Sequence, residues 1–313
     1  MKRVGRFRAA AAVACAGFLL CMAGQPATAA PQDLNSTVGG PGAADLAAAS
    51  SWEMRKLNYD LAAVRRGDAP VPAVFVSELP ETLREIGDVA TMKRTFIRMV
   101  LPLVLESNAR LQAKREQVLA LQDRLVERGL PLTREHRAWL DELVADYRVE
   151  ADDAAEQIRI LRQRVDIVPP SLALAQAVTE SGWGRSRFAL RGNALYGQRT
   201  WSEGAGLVPH ARAEGESYEV RAFRSLLQSV QMYMRNINRH PAYAALRAQR
   251  AALRAAGEPV DGWTLAEGLV RYAETGEEYV ETLRGIITAN RLRDFDDAWI
   301  EGVSTARLTQ PSS

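Results

Sequence analysis

A chain of 313 residues, 47% hydrophobic and 25% charged, has an ordinary globular composition and enough length for one large packed domain or two small ones. Its formal charge of +2 originates at the N-terminus: 4 of the 40 Lys and Arg fall within residues 1–8, leaving 36 beyond them against 38 Asp and Glu. That near-neutral balance offers none of the basic surface by which a nucleic-acid-binding protein neutralises phosphates.

Those four residues, Lys2, Arg3, Arg6 and Arg8, precede an apolar run from Ala9 to Ala23 that leads to Ala27-Thr28-Ala29. A basic start, an apolar centre and small residues at the end make residues 1–29 a secretory signal peptide. A membrane anchor is the competing reading, but the run is short for a span. Cleavage after Ala29 leaves Ala30 first, whereas cleavage after Ala30 would expose Pro31. The two cysteines of the chain, Cys15 and Cys21, both lie inside this segment. The mature protein is therefore expected to have neither disulfides nor a thiol nucleophile.

Residues 30–50, rich in Gly, Ala, Ser and Pro, read as a flexible leader. An N-terminal helical region follows over 51–168. It opens with a short pattern from Trp52 to Arg66, is broken by Gly67 to Pro72, and continues through a possible extended piece, Ala73 to Val76. From Asp88 the apolar spacing turns helical, with Phe96, Val100, Leu103, Val104, Leu111, Val118, Leu121 and Leu125 three, four or seven apart. Gly129 and Pro131 end this helix, and Thr133 is placed to cap the next. Trp139, Leu140, Leu143, Tyr147, Ala154, Ile158, Leu161 and Val165 continue as one second pattern, so an antiparallel helical hairpin is expected.

The stretch from Pro169 to Phe188 carries the chemistry. Two prolines cannot continue a helix but suit the first turn of a new one. The small apolar run after them predicts a buried helix. Glu180 closes that run, and Gly182 and Gly184 supply the stop. A carboxyl at the negative end of a helix dipole, beside apolar surface, is disfavoured as an anion, so its pKa is expected to rise. An acid kept protonated near neutrality is what general acid catalysis needs. Taken alone, a glutamate at a helix end is more often a solvated or paired charge.

Beyond the motif, residues 197–215 are punctuated by glycine, and the alternation over Tyr218 to Phe223 predicts a strand within a small β-hairpin. Helical patterns resume over Leu226 to Asn238, Ala242 to Ala256, Thr264 to Tyr272 and Glu277 to Asn290. A loose tail, 306–313, follows a region 169–305 taken as the second unit. His136, His210 and His240 are scattered without metal-ligand spacing, and no phosphate loop or Ser-His-Asp arrangement is present, so neither metal nor cofactor is expected.

The run from Ala175 through Glu180-Ser181-Gly182-Trp183-Gly184 to Phe188, followed by Gly192-Asn193-Ala194-Leu195-Tyr196-Gly197, resembles the glucosaminidase domain of bacterial peptidoglycan hydrolases, and within that superfamily the Bax-type proteins. Tyr233 to Tyr243 and Val71 to Phe75 add to the match, which covers roughly residues 70–300. The resemblance implies a mainly α, lysozyme-like fold with a small β-hairpin lobe, and exported action in the periplasm or cell envelope. It implies β-N-acetylglucosaminidase cleavage of peptidoglycan glycan strands, with Glu180 as general acid.

It also implies a second carboxylate in the β-lobe that activates water. Glu203, Glu214, Glu216 and Glu219 are the candidates, with Glu216 first because Gly215 beside it permits a tight turn. Alternatively the sugar's own acetamido group serves. Tyr272 and Thr275 fall in a segment similar to the superfamily's Tyr-x-Thr-Asp-x-x-Tyr element, although Gly276 stands where that pattern has Asp. Tyr272 is either a ligand of the acetamido group or developing charge, or a core tyrosine. Trp183, Tyr196 and Trp201 offer faces for sugar rings, with a core role for Trp183 equally open. Asn193 either binds the sugar amide or holds its turn. Two other readings compete: a lytic transglycosylase, whose usual Gly-Leu-Met-Gln element is replaced here by Gly-Asn-Ala-Leu-Tyr-Gly, and a non-catalytic wall-binding or assembly protein, supported by the helical hairpin alone.

Overall fold

The computed structural model describes residues 57–210, 212 and 215–302. The segments expected to be a signal peptide and a flexible leader, together with Glu214 and the expected loose tail, lie outside the described residues. The chain is mainly helical with one small sheet, as its patterning predicts. Of the short N-terminal helical pattern, α1 covers Leu61–Arg65 under an Asp60 cap. The piece from Ala73 to Val76 is not a strand. Val71 instead makes a parallel bridge to Ile300, which joins the two ends of the described chain.

Helix α2, Val89–Gln122, begins where Asp88 accepts a hydrogen bond from the Thr91 amide and runs for 34 residues. Pro102 inside it has no N–H for the carbonyl four residues back. The Tyr59 hydroxyl donates to that Arg98 oxygen at 3.4 Å, so the helix continues without an orphaned carbonyl. A π-turn, Asp123–Glu127, ends the run before Gly129. Thr133 and His136 form a reciprocal capping box at the start of α3, Arg134–Tyr147.

The single second helix expected from the spacing is in fact two. After α3 the chain turns through Arg148, left-handed at φ 54°, and Asp153 caps α4, Ala154–Arg164. Tyr147 and Ala154 are seven apart, so the apolar spacing continues across a break in the backbone. Arg164 spans the break by donating to the carbonyls of Tyr147 and Arg148, the orphaned acceptors of the α3 terminus. Val118, Leu121, Leu140, Leu143, Ile158 and Leu161 pack together as a satellite core in this arm.

The main core is built round α5, Pro170–Ser181. Leu172, Ala173, Leu174, Ala175 and Ala177 are all fully buried, which accounts for an apolar surface on every side. The first half of α2, the later helix α9 (Glu277–Ala289) and the 3-10 turn Leu292–Phe295 enclose it. Pro169 in the cap position has no side-chain acceptor for the first turn. Asp296 supplies one from the far end of the sequence, its Oδ1 accepting from the Ser171 amide at 2.7 Å and its Oδ2 from the Ser171 hydroxyl at 2.7 Å. Burial raises the Asp296 carboxyl to about 6, against the pull of those hydrogen bonds.

Helix α6, Arg187–Gly192, leads into the sheet. The expected hairpin is a three-stranded antiparallel sheet in the order β1-β3-β2, from Arg199–Thr200, Gly206–Leu207 and Glu219–Arg221. Strands of two residues carry no alternation, which is why β1 and β2 escape detection in the Gly-punctuated segment. The remaining helices are α7, Leu226–Arg239, and α8, Ala244–Ala255, preceded by a 3-10 turn from Pro241. A helical turn at Gly262–Leu265 then passes into 3-10 geometry at Ala266–Leu269, shorter than the pattern to Tyr272 implies. Among the described residues, no helix is long and apolar enough to cross a membrane.

Candidate active site

Helix α5 ends at Gly182, whose φ of 58° is left-handed, and this stop leaves Glu180 in the last turn. The carboxyl is half-buried. Burial pushes its pKa up to about 7, and one hydrogen bond opposes the rise: the Tyr279 hydroxyl donates to Oε1 at 2.9 Å. Oε2 faces Gly197, where a Cβ would come to 3.2 Å of it. Gly197 has φ of 59°, so both the backbone and the space beside the carboxyl favour glycine.

A cluster of phenols stands behind this carboxyl. Tyr196 stacks on Tyr233 with centroids 3.8 Å apart, and Tyr272 stacks on Tyr279 at 5.3 Å while tilting against Tyr243 at 5.8 Å. Tyr233, Tyr272 and Tyr279 are held far above the ordinary phenol range, first by burial and then by nearby groups including Glu180, so all three are neutral. Gln176, one turn before Glu180 and fully buried, donates to the Tyr279 oxygen at 3.0 Å and accepts from the Tyr233 hydroxyl at 2.6 Å.

The sequence candidates separate into three groups. Glu180, Tyr196, Tyr272 and Gly197 come together. Tyr272 donates to the Tyr196 carbonyl at 3.2 Å, and the hydroxyls of Tyr196 and Thr275 are buried with no hydrogen-bond partner among the described residues. Trp183 and Asn193 hold the site's frame. Trp183 meets Phe96 edge-on at 5.8 Å and takes a left-handed φ of 59°. Asn193, left-handed at the end of α6, donates from Nδ2 to the Phe223 carbonyl at 3.1 Å and so ties the turn to the sheet.

The third group lies on the β-lobe. Trp201 is 57% exposed, enough to present a ring face, and Glu203 and Glu216 are exposed. Glu219 is buried, and its two oxygens accept from the amides of Gly204 at 3.0 Å and Gly206 at 2.7 Å. It therefore ties the turn between β1 and β2 to β3. His240 caps the 3-10 turn after α7 by accepting from the Ala242 amide. No three His, Cys, Asp or Glu side chains among the described residues gather as a metal-ligand set.

Gln176, Tyr233 and Tyr279 have no role that their local sequence alone discloses. Gln176 had a usable signal: it is an amide in an otherwise apolar run, on the face of α5 that carries Glu180 four residues later. The phenols come from α7 and α9, and only the fold brings them to that face.

Residues 155–292, which include Glu180, Gln176 and the five tyrosines of the cluster, match a glucosaminidase family profile described as mannosyl-glycoprotein endo-beta-N-acetylglucosaminidase. Protein bax of Escherichia coli (strain K12) is 32% identical over 205 residues, covering 65% of this chain and 71% of that protein. No solved structure matches. A glucosaminidase domain is a glycoside hydrolase domain, and peptidoglycan fits it as substrate. The order of motifs, the helical core around α5 and the extent of the match together place the chain in the Bax-like family of proteins with a glucosaminidase domain.

Proposed function

We propose that this protein is an endo-acting β-N-acetylglucosaminidase that cuts the GlcNAc-MurNAc backbone of peptidoglycan, with Glu180 as the general acid. The observation that carries the proposal is the setting of Glu180: a helix-terminal carboxyl raised to about 7 by burial, with one side open over Gly197. An acid titrating there is still substantially protonated at neutral pH and is a strong enough donor to protonate a glycosidic oxygen as the bond to the sugar carbon lengthens. Export through residues 1–29 would place the enzyme at its substrate in the cell envelope.

In the water step Glu216 acts as the base, exposed beside the turn at Gly215 (φ 87°) and three residues before β3. Glu219 is less suited, because both its oxygens already hold backbone amides. Trp201 and Thr275 are proposed sugar contacts, the first for its exposed ring and the second for its unpartnered hydroxyl. Trp183, Asn193 and Tyr196 are proposed to shape the binding surface. Tyr272 is proposed to line the site from below, its hydroxyl engaged with Tyr196.

Mass spectrometry of products from purified sacculi tests the reading. New reducing GlcNAc ends are expected; anhydromuramic ends or reducing MurNAc ends would contradict it. Glu216→Gln should lower turnover strongly with little change in unfolding midpoint, and Glu203→Gln should do less. A first-formed anomer that retains β configuration, with each β-lobe acid dispensable, would transfer the second role to the acetamido group.

A further inference from the structure

The polar atoms behind Glu180 form a chain with one direction. An amide nitrogen only donates, so in the bond from Gln176 Nε2 the Tyr279 oxygen must be the acceptor. The single proton of that hydroxyl is then committed to Glu180 Oε1, 2.9 Å away. In the structure the amide is turned this way, with its Oε1 accepting from the Tyr233 hydroxyl at 2.6 Å. A flipped amide would turn its oxygen toward Tyr279 and draw the hydroxyl proton away from Glu180.

This direction distinguishes the two carboxyl oxygens. With Oε1 accepting from Tyr279, a protonated Glu180 carries its hydrogen on Oε2, the oxygen that faces the space left by Gly197. We propose that Gln176, held by Tyr233, is a positioning residue that confines the transferable proton to Oε2 of Glu180. The inference rests on Glu180 being the proton donor. In the step it serves, the Oε2 proton passes to the glycosidic oxygen and the bond from that oxygen to the sugar C1 breaks, its electron pair staying on the departing oxygen. Glu180 is left as a carboxylate that still accepts from Tyr279. Water then supplies the hydroxyl to C1 and the proton that restores the acid. Among the described residues the titratable groups facing the carboxyl are Tyr279 from α9, Tyr233 from α7 and Tyr272 from the segment before α9, all neutral phenols.

Two variants test this on sacculi alongside Glu180→Gln. In Gln176→Met the Tyr279 oxygen becomes free to accept, so a protonated Glu180 can also place its hydrogen on Oε1, where it is useless to substrate. Turnover should fall on the order of tenfold, less than the ~10²-fold of losing the donor outright. KM should be unchanged, and the alkaline limb of kcat/KM should move to higher pH because the neutral carboxyl gains a bond. Tyr233→Phe should move both quantities the same way by a smaller amount, and it carries the test if Gln176→Met does not fold. An alkaline limb unmoved in the folded variants, or activity lost only in proportion to folded protein, would overturn the inference. Full activity in Glu180→Gln would instead overturn the donor assignment beneath it.

Discussion

Glu180 and Asp166 are both carboxyls set among packed helices, and the molecule drives them in opposite directions. Among the described residues the titratable groups around Glu180 are neutral phenols, and burial prevails, raising its carboxyl to about 7. Asp166, 2% exposed at the base of the helical arm, is lowered: burial alone would raise it, but Arg250, Arg254 and Arg115 more than offset that. Arg254 reaches it through two nitrogens at 2.6 and 2.7 Å, and Arg115 lies 3.3 Å away. Removal from water thus does not by itself decide a carboxyl's state; the presence or absence of cations does. One region uses a permanent anion to fasten α2, α8 and the end of α4. Among the described residues the other sets no cation against its carboxyl, which therefore keeps its proton to a higher pH.

The largest expected effect breaks the first half of that contrast. Asp166→Ala strands Arg115 and Arg250 in the core and should cost ~3–5 kcal/mol of unfolding free energy, read by urea titration. Activity per folded molecule should change little, because the cluster does not touch the Glu180 pocket. A small loss would mean that the three arginines reach solvent.

Glu180→Gln sharpens the other half. Cleavage should fall by at least ~10²-fold. Stability should move the other way, by on the order of 2–3 kcal/mol above pH 8, because the variant no longer buries a charge. A folded-state pKa above the unfolded value means that the native protein holds the extra proton. The contribution of Glu180 to stability is therefore complete below about pH 4.5 and is lost as pH rises through about 7, so the advantage of the variant should vanish in acid.

Asp296, raised to about 6, has the same sign over a lower window, while Asp166, being lowered, contributes above the ordinary carboxyl range and loses its contribution as pH falls. Trp201→Ala should be the mildest change. An exposed ring removed from β1's end leaves stability within ~0.5 kcal/mol, and a rise in KM without a fall in turnover would identify it as a sugar platform.

How much of this was legible in the sequence follows from the range of each interaction. Helix α5 and its acid were readable because prolines, small apolar residues and glycine act within a dozen positions. Thr133 was readable as a cap for the same reason, whereas Asp88 marked only where the helical spacing begins. The break at Arg148 was hidden because Tyr147 and Ala154 preserve a seven-residue spacing across it. Asp296 caps a helix 125 positions away, and Tyr279 reaches Glu180 across 99, so neither has a local signal. Gln176 was visible as an oddity, but its purpose depends on two phenols that other helices deliver.

The ionisation of one side chain, Glu180, underlies the proposed proton transfer. Carbon-13 NMR of protein labelled only at the glutamate side-chain carboxyls, titrated from pH 4 to 9, reads it without substrate. One carboxyl should titrate near 7 and be missing from the Glu180→Gln spectrum. If the resonance lost in that variant titrates instead near 4.5, Glu180 is an ordinary carboxylate at neutral pH and the acid at the end of α5 is not the proton donor.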